Sequence, residues 1–295
     1  MNIDNILKCF PNHIRELLKN NIDANILEEI RVRNNLPLIL KLGENEKVLE
    51  YKITTEDINY IFQKICENSI YTYQNQIANG FITIKGGNRV GIVGTAVIKD
   101  GQVTNFNYIS SLNFRISRQI IGCSNSIINK IIDTENNSIY NTLIISPPGM
   151  GKTTLLKDII RNISNGIDGM FEGINVTVVD ERGEISATYK GIMQNDLGIR
   201  TDVINDMPKS IGMKMAIRSM SPKVIVADEI GNIQDSEAIK YAMCCGVKGI
   251  FTAHGRNIEE VMKNPELKDL IANKIFEKII TIKGRENENF LIDEN

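Results

Sequence analysis

The chain has 295 residues, of which 42% are hydrophobic and 24% are charged, a composition that excludes global disorder. This length allows one large domain or two ordinary ones. The formal net charge is −2, so no overall basic surface points to nucleic acid as the ligand. No apolar run approaches the roughly 18 residues of a membrane-spanning helix, and no signal peptide is evident. We therefore expect a soluble cytoplasmic protein.

The cysteines and histidines do not form a metal-binding or disulfide pattern. The five cysteines are an odd number without C-x-x-C spacing, which argues against a disulfide framework or a zinc site. Cys244 and Cys245 lie in an apolar helical stretch, where we expect them to be buried. Of the two histidines, His13 lies in a polar amphipathic segment and is expected at the surface.

The first 120 or so residues alternate between helical and strand-like segments. Helical patterns cover residues 1–20, with a break at Pro11, and 23–31. The runs LILKLG and EKVLEYKI predict two strands around a turn, and a helix is expected from 55 to 69 with Thr54 as its N-cap. The runs GFITIKGG, NRVGIVGTAVI, QVTNFNYIS and LNFRIS predict further strands. These patterns predict a small α+β domain over residues 1–122.

A change of pattern marks the second part of the chain. A connecting helix is expected over 123–138, within a linker at 123–139 that separates the first domain from a second at 140–295. In the second domain, short β-branched runs at 141–145, 174–179, 223–227 and 248–253 alternate with helical segments. This alternation predicts an α/β fold with a parallel sheet flanked by helices. The region 182–222 contains no clear long strand.

The end of the first of these runs carries a phosphate-binding pattern. It matches G-x-x-x-x-G-K-[ST] except at its first position, where serine replaces glycine. Backbone N–H groups of such a loop surround a phosphate, and the following helix directs its positive end at the same group. Lys152 is expected to reach the β- and γ-phosphates, and Thr153 to bind Mg²⁺. The predicted loop residues are Ser146, Pro147, Pro148, Gly149, Met150, Gly151, Lys152, Thr153 and Thr154.

Chemically useful side chains follow three other predicted strands. Asp228-Glu229 ends KVIVADEIG, Asp180-Glu181 ends INVTVV, and His254 ends KGIFTA. Ligands of open parallel sheets bind beyond the carboxyl ends of the strands, so we expect these groups at one edge. Asp228 is predicted to hold Mg²⁺ through water, Glu229 to orient or deprotonate the attacking water, and His254 to sense the γ-phosphate.

Missing motifs narrow the class of nucleotide-binding protein. The N-K-x-D base reader of GTPases fails at Phe276, and the LSGGQ-type signature of ABC transporters is absent. The region 182–222 carries the basic residues Arg200, Lys209, Lys214 and Arg218. Such residues are either solvated surface groups or fingers that complete the site of a neighbouring subunit.

The order of phosphate loop, acidic box, Walker B strand and histidine box resembles the hexameric ATPases of type II and type IV secretion and pilus retraction. The stretches DLGIRTDVIND, IGMKMAIRSMSPKVIVADEIG, TAHG and GFITIKGGNRVGIVGTAV resemble one branch of them, the stage III sporulation AA family of endospore-forming Firmicutes. The resemblance covers nearly the whole chain, and the first 20 residues contribute least to it.

This resemblance implies a RecA-like P-loop core behind a smaller α+β domain, ATP and Mg²⁺ as ligands, and a ring of identical subunits, six in number. It implies work in the mother cell, on the cytoplasmic face of a channel-like complex in the membranes around the forespore. The expected partners are membrane proteins of that sporulation complex. Residue by residue, Lys152 and Thr153 match the Walker A motif, Glu181 the acidic box, Asp228 and Glu229 the Walker B motif, and His254 the histidine box.

The resemblance also implies nucleotide-clamping arginines in the first domain. The candidates are Arg115 and Arg118, with Arg89 behind them. The chain departs from the typical secretion ATPases at two positions, because Asp228 replaces a glycine before Glu229 and Gly255 replaces a threonine after the histidine box.

Two other functions fit parts of the same pattern. A RecA-type motor stimulated by nucleic acid shares the core fold, but the chain has no Trp and only 6% aromatic residues, which offers few stacking surfaces for single strands. In a non-hydrolysing scaffold, ATP would only order the ring. The presence of Lys152, Asp228 and Glu229 argues against that scaffold.

Overall fold

The structure, a computed structural model, describes residues 3–286 and 289–294. The chain forms two compact units. The first unit is Met1–Arg118 together with Ala187–Gln194, and the second is Gln119–Ser186 together with Asn195–Asn295. The short segment Ala187–Gln194 therefore groups with the first unit, although the chain on either side of it belongs to the second.

An antiparallel sheet forms the centre of the first unit. Its strands are β1 (Leu27–Arg33), β2 (Pro37–Leu42), β3 (Asn45–Lys52), β4 (Phe81–Ile84), β5 (Asn88–Lys99) and β6 (Gln102–Arg115). Their order is β3-β2-β1-β6-β5-β4. The helices are α1 (Asp4–Leu7), α2 (Asn12–Lys19), α3 (Thr55–Ile65) and α4 (Gln74–Ala78), with a 3-10 turn at Ile70–Tyr73. Sheet and helices enclose one apolar core.

The helix predicted over 23–31 is wrong, because strand β1 occupies most of that stretch. Leu27 and Ile30 are both buried although they are three residues apart, which is a helical spacing. A β-bulge between Leu27 and Glu29 shifts the register of the strand against β2, and an extra residue in a strand changes which side chains share a face. Beyond the bulge, burial alternates normally through Val32.

The predicted N-cap of α3 is confirmed and forms a capping box. Thr54 Oγ1 accepts from the Asp57 backbone N–H at 3.2 Å, and Asp57 Oδ2 accepts from the Thr54 N–H at 3.0 Å. Tyr51 also donates its hydroxyl to Asp57 at 2.7 Å. Burial alone would raise the pKa of Asp57, but these hydrogen bonds outweigh it and hold that pKa below the usual range. Burial and the bond to Asp57 raise the pKa of Tyr51 to about 12.

A seven-stranded sheet forms the centre of the second unit. Its strands are β9 (Thr142–Ser146), β12 (Val176–Asp180), β13 (Thr201–Asn205), β14 (Val224–Ala227), β15 (Lys248–His254), β16 (Lys278–Glu286) and β17 (Asn289–Glu294). Two short hairpins lie outside this sheet: β7 (Ile132–Asp133) with β8 (Ser138–Ile139), and β10 (Gly166–Ile167) with β11 (Phe171–Glu172). The order is β13-β12-β14-β15-β9-β16-β17, with every pair parallel except the last. The four predicted strands are confirmed, whereas the edge strand β13 lies in the region where no long strand was expected.

Helices cover both faces of this sheet. They are α5 (Ile128–Ile131), α6 (Lys152–Asn165), α7 (Lys209–Ser219), α8 (Ile233–Cys244), α9 (Ile258–Val261) and α10 (Pro265–Ala272). On β9, Ile144 packs in the apolar cluster that contains α6, while Leu143 and Ile145 pack in the cluster that contains α7 and α8. All five residues of β9 are buried. The predicted α/β sheet with strands buried on both faces is therefore confirmed.

The connecting helix predicted over 123–138 is wrong in length, since helix α5 has only four residues. Ile132–Asp133 pairs with Ser138–Ile139 in an antiparallel hairpin. The polar run TENNS forms the turn of this hairpin, where Asn137 has a φ of +44°. Polar residues that tolerate positive φ favour turns over helix ends.

The cysteines divide into two groups. All five are free, and Cys9, Cys66 and Cys123 are buried; burial raises the pKa of Cys66 to about 12. The expected burial of Cys244 and Cys245 is wrong, because both are exposed. Helix α8 ends at Cys244, and the chain turns at Gly246 toward β15, so the pair lies on a turn outside the core. Within the described residues, no helix is long and apolar enough to span a membrane.

Candidate functional site

The predicted phosphate loop joins β9 to α6. Ser146 ends the strand and Lys152 begins the helix, and the turn between them contains Gly149 and Gly151 at φ values of +78° and +87°. Glycine adopts this left-handed conformation without steric cost. The serine at the first position is accommodated because its side chain is buried and Oγ donates to the Pro147 carbonyl at 2.8 Å.

Lys152 is a buried cation without a hydrogen-bond partner among the described residues. Its side chain is 5% exposed, and Nζ lies 3.6 Å from Asp228 Oδ1 and 3.8 Å from Glu229 Oε1. Neither distance is a hydrogen bond, and Nζ finds no other acceptor in the described part of the chain. An unsatisfied buried ammonium is costly. Its position at the N-terminus of α6 is where anions bind to helices.

Asp228 is held between two threonines at the end of β14. Thr153 Oγ1, in the first turn of α6, donates to Asp228 Oδ2 at 2.8 Å. Thr252 Oγ1, in β15, donates to Oδ1 of the same carboxylate. Thr153 and Asp228 thus bring together two oxygen ligands of the kind that Mg²⁺ prefers. Among the described residues, no group of three or more His, Cys, Asp or Glu side chains is arranged so that it could hold a metal ion.

The neighbouring residue, Glu229, has a fixed backbone and an occupied carboxylate. Its φ is +55°, which is uncommon for a residue other than glycine. Residues with such backbone angles are found most often at functional sites. The Glu229 N–H donates to Thr252 Oγ1 at 2.9 Å. Arg182 Nη1 donates to Oε2 at 2.7 Å, and His254 Nε2 lies 2.7 Å from Oε1. Each oxygen of the Glu229 carboxylate therefore has a side-chain partner.

His254 lies at the last position of β15, directly beside Ser146 of β9. The structure accounts for the glycine that follows it. A Cβ at Gly255 would lie 2.6 Å from Val261 Cγ2, so a threonine there would require the Val261 side chain to shift.

The two acidic-box residues have different surroundings. Asp180 is buried, and its carboxylate accepts from the backbone N–H groups of Glu184 at 2.9 Å and Ser186 at 2.8 Å and from the Ser186 hydroxyl. Asp180 therefore stabilises the loop that follows β12. Glu181 pairs instead with Lys209 at the start of α7. Glu181 and Lys209 line the same cleft as Asp228 and Glu229.

A further carboxylate, Asp235, lies behind the Walker B loop in the first turn of α8. It is buried and accepts from the Gly231 N–H at 3.3 Å. Burial raises the pKa of Asp235 above the usual range. The positive charge of Lys209 lowers this pKa and the negative charge of Glu181 raises it, but burial has the largest effect.

The predicted arginines of the first domain lie in the first unit. Arg118 Nη2 donates to the Leu27 carbonyl at 2.8 Å. Arg115 and Arg89 are register partners on β6 and β5, and the Arg89 guanidinium lies 4.3 Å from the centre of the Phe81 ring. Their assignment to a nucleotide clamp remains a prediction.

The four basic residues of 182–222 have separate positions in the second unit. Arg200 Nη1 donates to the Ser164 carbonyl at 2.9 Å, which gives it a local structural role. Lys209 pairs with Glu181. Lys214 and Arg218 are exposed on α7.

Two residues of the site were not predicted from the sequence. In the sequence pattern, Arg182 is only a member of an acidic cluster, and Thr252 only a member of an apolar strand. A basic residue inside an otherwise acidic loop, and a hydroxyl two residues before His254, are the signals that could have identified them.

The comparisons with known proteins agree with this geometry. The family model described as "Sporulation stage III, protein AA" matches residues 2–291. The chain belongs to this family. Stage III sporulation protein AA of Bacillus subtilis (strain 168) is 39% identical over 256 residues, which are 87% of this chain and 82% of that protein. The uncharacterized protein ycf45 of Porphyra purpurea is 27% identical over 272 residues, 91% of this chain and 43% of that protein.

Solved structures identify the fold. The Yersinia pseudotuberculosis ATPase DotB has a TM-score of 0.62 at 16% identity, over 97% of this chain and 79% of that chain. The pilus retraction motor PilT with bound ADP has a TM-score of 0.60 at 14% identity, over 98% of this chain and 82% of that chain. The predicted P-loop ATPase fold and the resemblance to the secretion ATPases and the stage III sporulation AA family are thus confirmed.

Proposed function

We propose that this protein is a Mg²⁺-dependent ATPase. The single observation that carries the proposal is Lys152, a buried ammonium at the start of α6 with no hydrogen-bond acceptor among the described residues. Phosphate oxygens would supply the acceptors that it lacks. The positive φ values of Gly149 and Gly151 support this, because such a turn lets consecutive backbone N–H groups face an anion.

The metal is assigned to Thr153 and Asp228. Their side-chain oxygens lie 2.8 Å apart, and Mg²⁺ is commonly bound by one or two protein oxygens together with water and substrate phosphates. Mg²⁺ bound there would neutralise charge on the phosphate oxygens. Thr252 orients Asp228 from the opposite side.

Glu229 is the residue that would position the attacking water. The bond from its N–H to Thr252 anchors its backbone, so rotation of its side chain would bring the carboxylate to a water. His254 contacts one of its oxygens and would sense the γ-phosphate. Glu181, paired with Lys209 in the same cleft, would contribute a second carboxylate to the site.

We further propose that the ATPase acts as a ring of identical subunits, six in number, in the mother cell. There it would power the assembly of a membrane channel complex of sporulation, or transport through it. Membership of the sporulation family and the fold shared with an ATPase and a pilus retraction motor support this. Arg115 and Arg118, with Arg89, are the candidate residues that would clamp nucleotide from the first unit.

ATP turnover and oligomer size, measured together over a range of protein concentrations, test the proposal. Wild-type turnover should rise as rings form. Glu229→Gln should still bind Mg²⁺-ATP but turn it over about 10² to 10⁴ times more slowly, the usual contribution of a general base. The matched control is Glu237→Gln, which makes the same change on the exposed side of α8 and should leave turnover unchanged.

A second candidate function is a nucleotide-gated scaffold that does not hydrolyse ATP. It is favoured by the occupied state of the Glu229 carboxylate, both of whose oxygens have partners. Tight binding of ATP without turnover at any concentration would support the scaffold. Turnover in Glu229→Gln equal to that of the wild type would contradict the catalytic assignment.

A further inference from the structure

Arg182 is the side chain that holds Glu229 in this structure. It extends from the loop after β12 and donates from Nη1 to Oε2 at 2.7 Å, while His254 occupies Oε1. A water that Glu229 orients for attack must approach one of these two oxygens. Each oxygen can accept a second hydrogen bond, but a carboxylate held on both oxygens cannot turn freely toward a water. Release of one partner would therefore free Glu229 to act.

Arg182 is the partner that can move at little cost. Its side chain is 66% exposed, and an ion pair this exposed contributes little to stability because water competes for both charges. Its backbone is held in place, since Asp180 binds the N–H groups of Glu184 and Ser186 immediately beyond it. A change of partner therefore needs only rotation of the arginine side chain.

A phosphate group is the stronger competitor for this arginine. The planar guanidinium matches phosphate oxygens with two parallel hydrogen bonds, and a phosphate carries more charge than a carboxylate. Lys152 Nζ lies 3.8 Å from the other oxygen of the same Glu229 carboxylate. Lys152 and Arg182 therefore flank the Glu229 carboxylate. A phosphate bound at Lys152 would lie close to the carboxylate that Arg182 holds.

We propose that Arg182 distinguishes nucleoside triphosphate from diphosphate at this site. In the empty and diphosphate states it holds Glu229; when a third phosphate is present it leaves Glu229 for that phosphate, which frees the carboxylate to position water. This inference rests on the proposed function, because it requires that Lys152 binds nucleotide phosphates. Arg182 acts on the reaction through Glu229 and is in this respect a positioning residue.

The test is equilibrium binding of a non-hydrolysable ATP analogue and of ADP, both with Mg²⁺, to the full chain. Arg182→Gln should weaken binding of the triphosphate about tenfold, the effect of losing a hydrogen bond to a charged group, and change ADP binding less than about twofold. Arg182→Lys keeps the charge without the planar fork and should lose about threefold for the triphosphate. Lys47→Gln removes one positive charge from an exposed position of β3 and should change neither affinity.

A double-mutant cycle tests the exchange itself. Glu229→Gln removes the carboxylate that competes for Arg182, so triphosphate binding should tighten. That gain should be about two- to fivefold larger with Arg182 present than in the Arg182→Gln background, because only the former has the ion pair to break. A residue with a purely structural role would show no such coupling.

The outcomes separate this inference from the proposed function. Equal losses for both nucleotides in Arg182→Gln, or no loss for either, would overturn the role of Arg182 and leave the ATPase proposal intact. Failure of the wild type to bind either nucleotide would refute the ATPase proposal and this inference with it. A selective loss for the triphosphate, together with the coupling to Glu229, would establish the exchange.

Discussion

Two of the buried charged residues of helix α6, Asp158 and Lys152, have opposite surroundings. Asp158 accepts hydrogen bonds from the Gly122 N–H at 3.0 Å, the Ser124 N–H at 2.8 Å and hydroxyl at 2.7 Å, and Arg161 Nη2 at 2.9 Å. Lys152, at the start of the same helix, has no hydrogen bond within the described residues.

Under the proposed function, the difference separates a charge that holds the fold from one that meets a ligand. Burial alone would raise the pKa of Asp158, but the bonds from Ser124, Gly122 and Arg161 outweigh it and hold that pKa below its usual range. The ionised carboxylate is therefore part of the folded structure. The ammonium of Lys152 has two ion pairs longer than a hydrogen bond, with Asp228 and Glu229, and its missing hydrogen bonds cost stability.

The largest expected effect is that of Lys152→Met, which replaces the ammonium with an apolar group of similar length. Nucleotide binding should be lost, and turnover should fall by at least about a thousandfold, since electrostatic stabilisation of the transition state is usually the largest single contribution to catalysis. The free energy of unfolding without nucleotide should stay the same or rise, because a costly buried cation is removed. Nucleotide titration, turnover and denaturant unfolding measure these three quantities.

Lys268→Met is the control for this variant, because it makes the same change at an exposed position of α10. It should leave turnover and unfolding unchanged. A Lys152→Met protein that loses stability in proportion to its activity would contradict the idea that this charge awaits a ligand.

Asp158→Asn should give the opposite result. The amide nitrogen of asparagine replaces one carboxylate oxygen and cannot accept from the N–H group bound there, that of Gly122 or that of Ser124. The charge that pairs with Arg161 is also lost. We expect the free energy of unfolding to fall by about 3 kcal/mol, with nucleotide affinity changed much less. Urea unfolding and nucleotide titration of the same preparation measure the two effects.

The same variant has a predictable pH dependence. The pKa of folded Asp158 lies below its ordinary value of 3.8, so its stabilisation is complete above that value and is lost as the pH falls through the folded-state pKa. Asparagine does not titrate. The stability difference between wild type and Asp158→Asn should therefore be constant from about pH 5 to 7 and shrink below about pH 4. A difference that grows toward acid pH would show that the carboxylate is not the source.

These contrasts mark what the sequence can predict. The phosphate loop, the four parallel strands and the carboxylates at their ends are encoded in short segments, where an apolar run, two glycines and a lysine carry the signal. Residues that follow adjacent parallel strands must meet at one edge, and so the positions of Asp228 and His254 follow from their strands.

The errors come from interactions that short segments do not contain. The bulge in β1 depends on its pairing with β2, and it imitates the spacing of a helix. The exposure of Cys244 and Cys245 depends on where α8 ends. The bond between Arg182 and Glu229 joins residues 47 positions apart, and only the tertiary fold brings them together.

Two threonines on neighbouring strands, Thr252 at the site and Thr142 away from it, allow the comparison to be sharpened with the same substitution. Thr252, near the carboxyl end of β15, donates to Asp228 and accepts from the Glu229 N–H at 2.9 Å. Thr142, at the start of β9, donates to the Tyr140 carbonyl at 2.8 Å. Both threonines are fully buried, and valine matches the shape of either while removing the hydroxyl.

Thr252→Val and Thr142→Val should each lower the free energy of unfolding by about 1 kcal/mol, because each leaves a polar group without its partner. Only Thr252→Val should also slow turnover, by about tenfold, since it alone releases the carboxylate proposed to bind Mg²⁺ and the strained backbone of Glu229. Turnover by Thr142→Val should remain within about twofold of the wild type. Equal losses of turnover in the two variants would mean that general loosening of the sheet, and not the orientation of Asp228 and Glu229, limits the reaction.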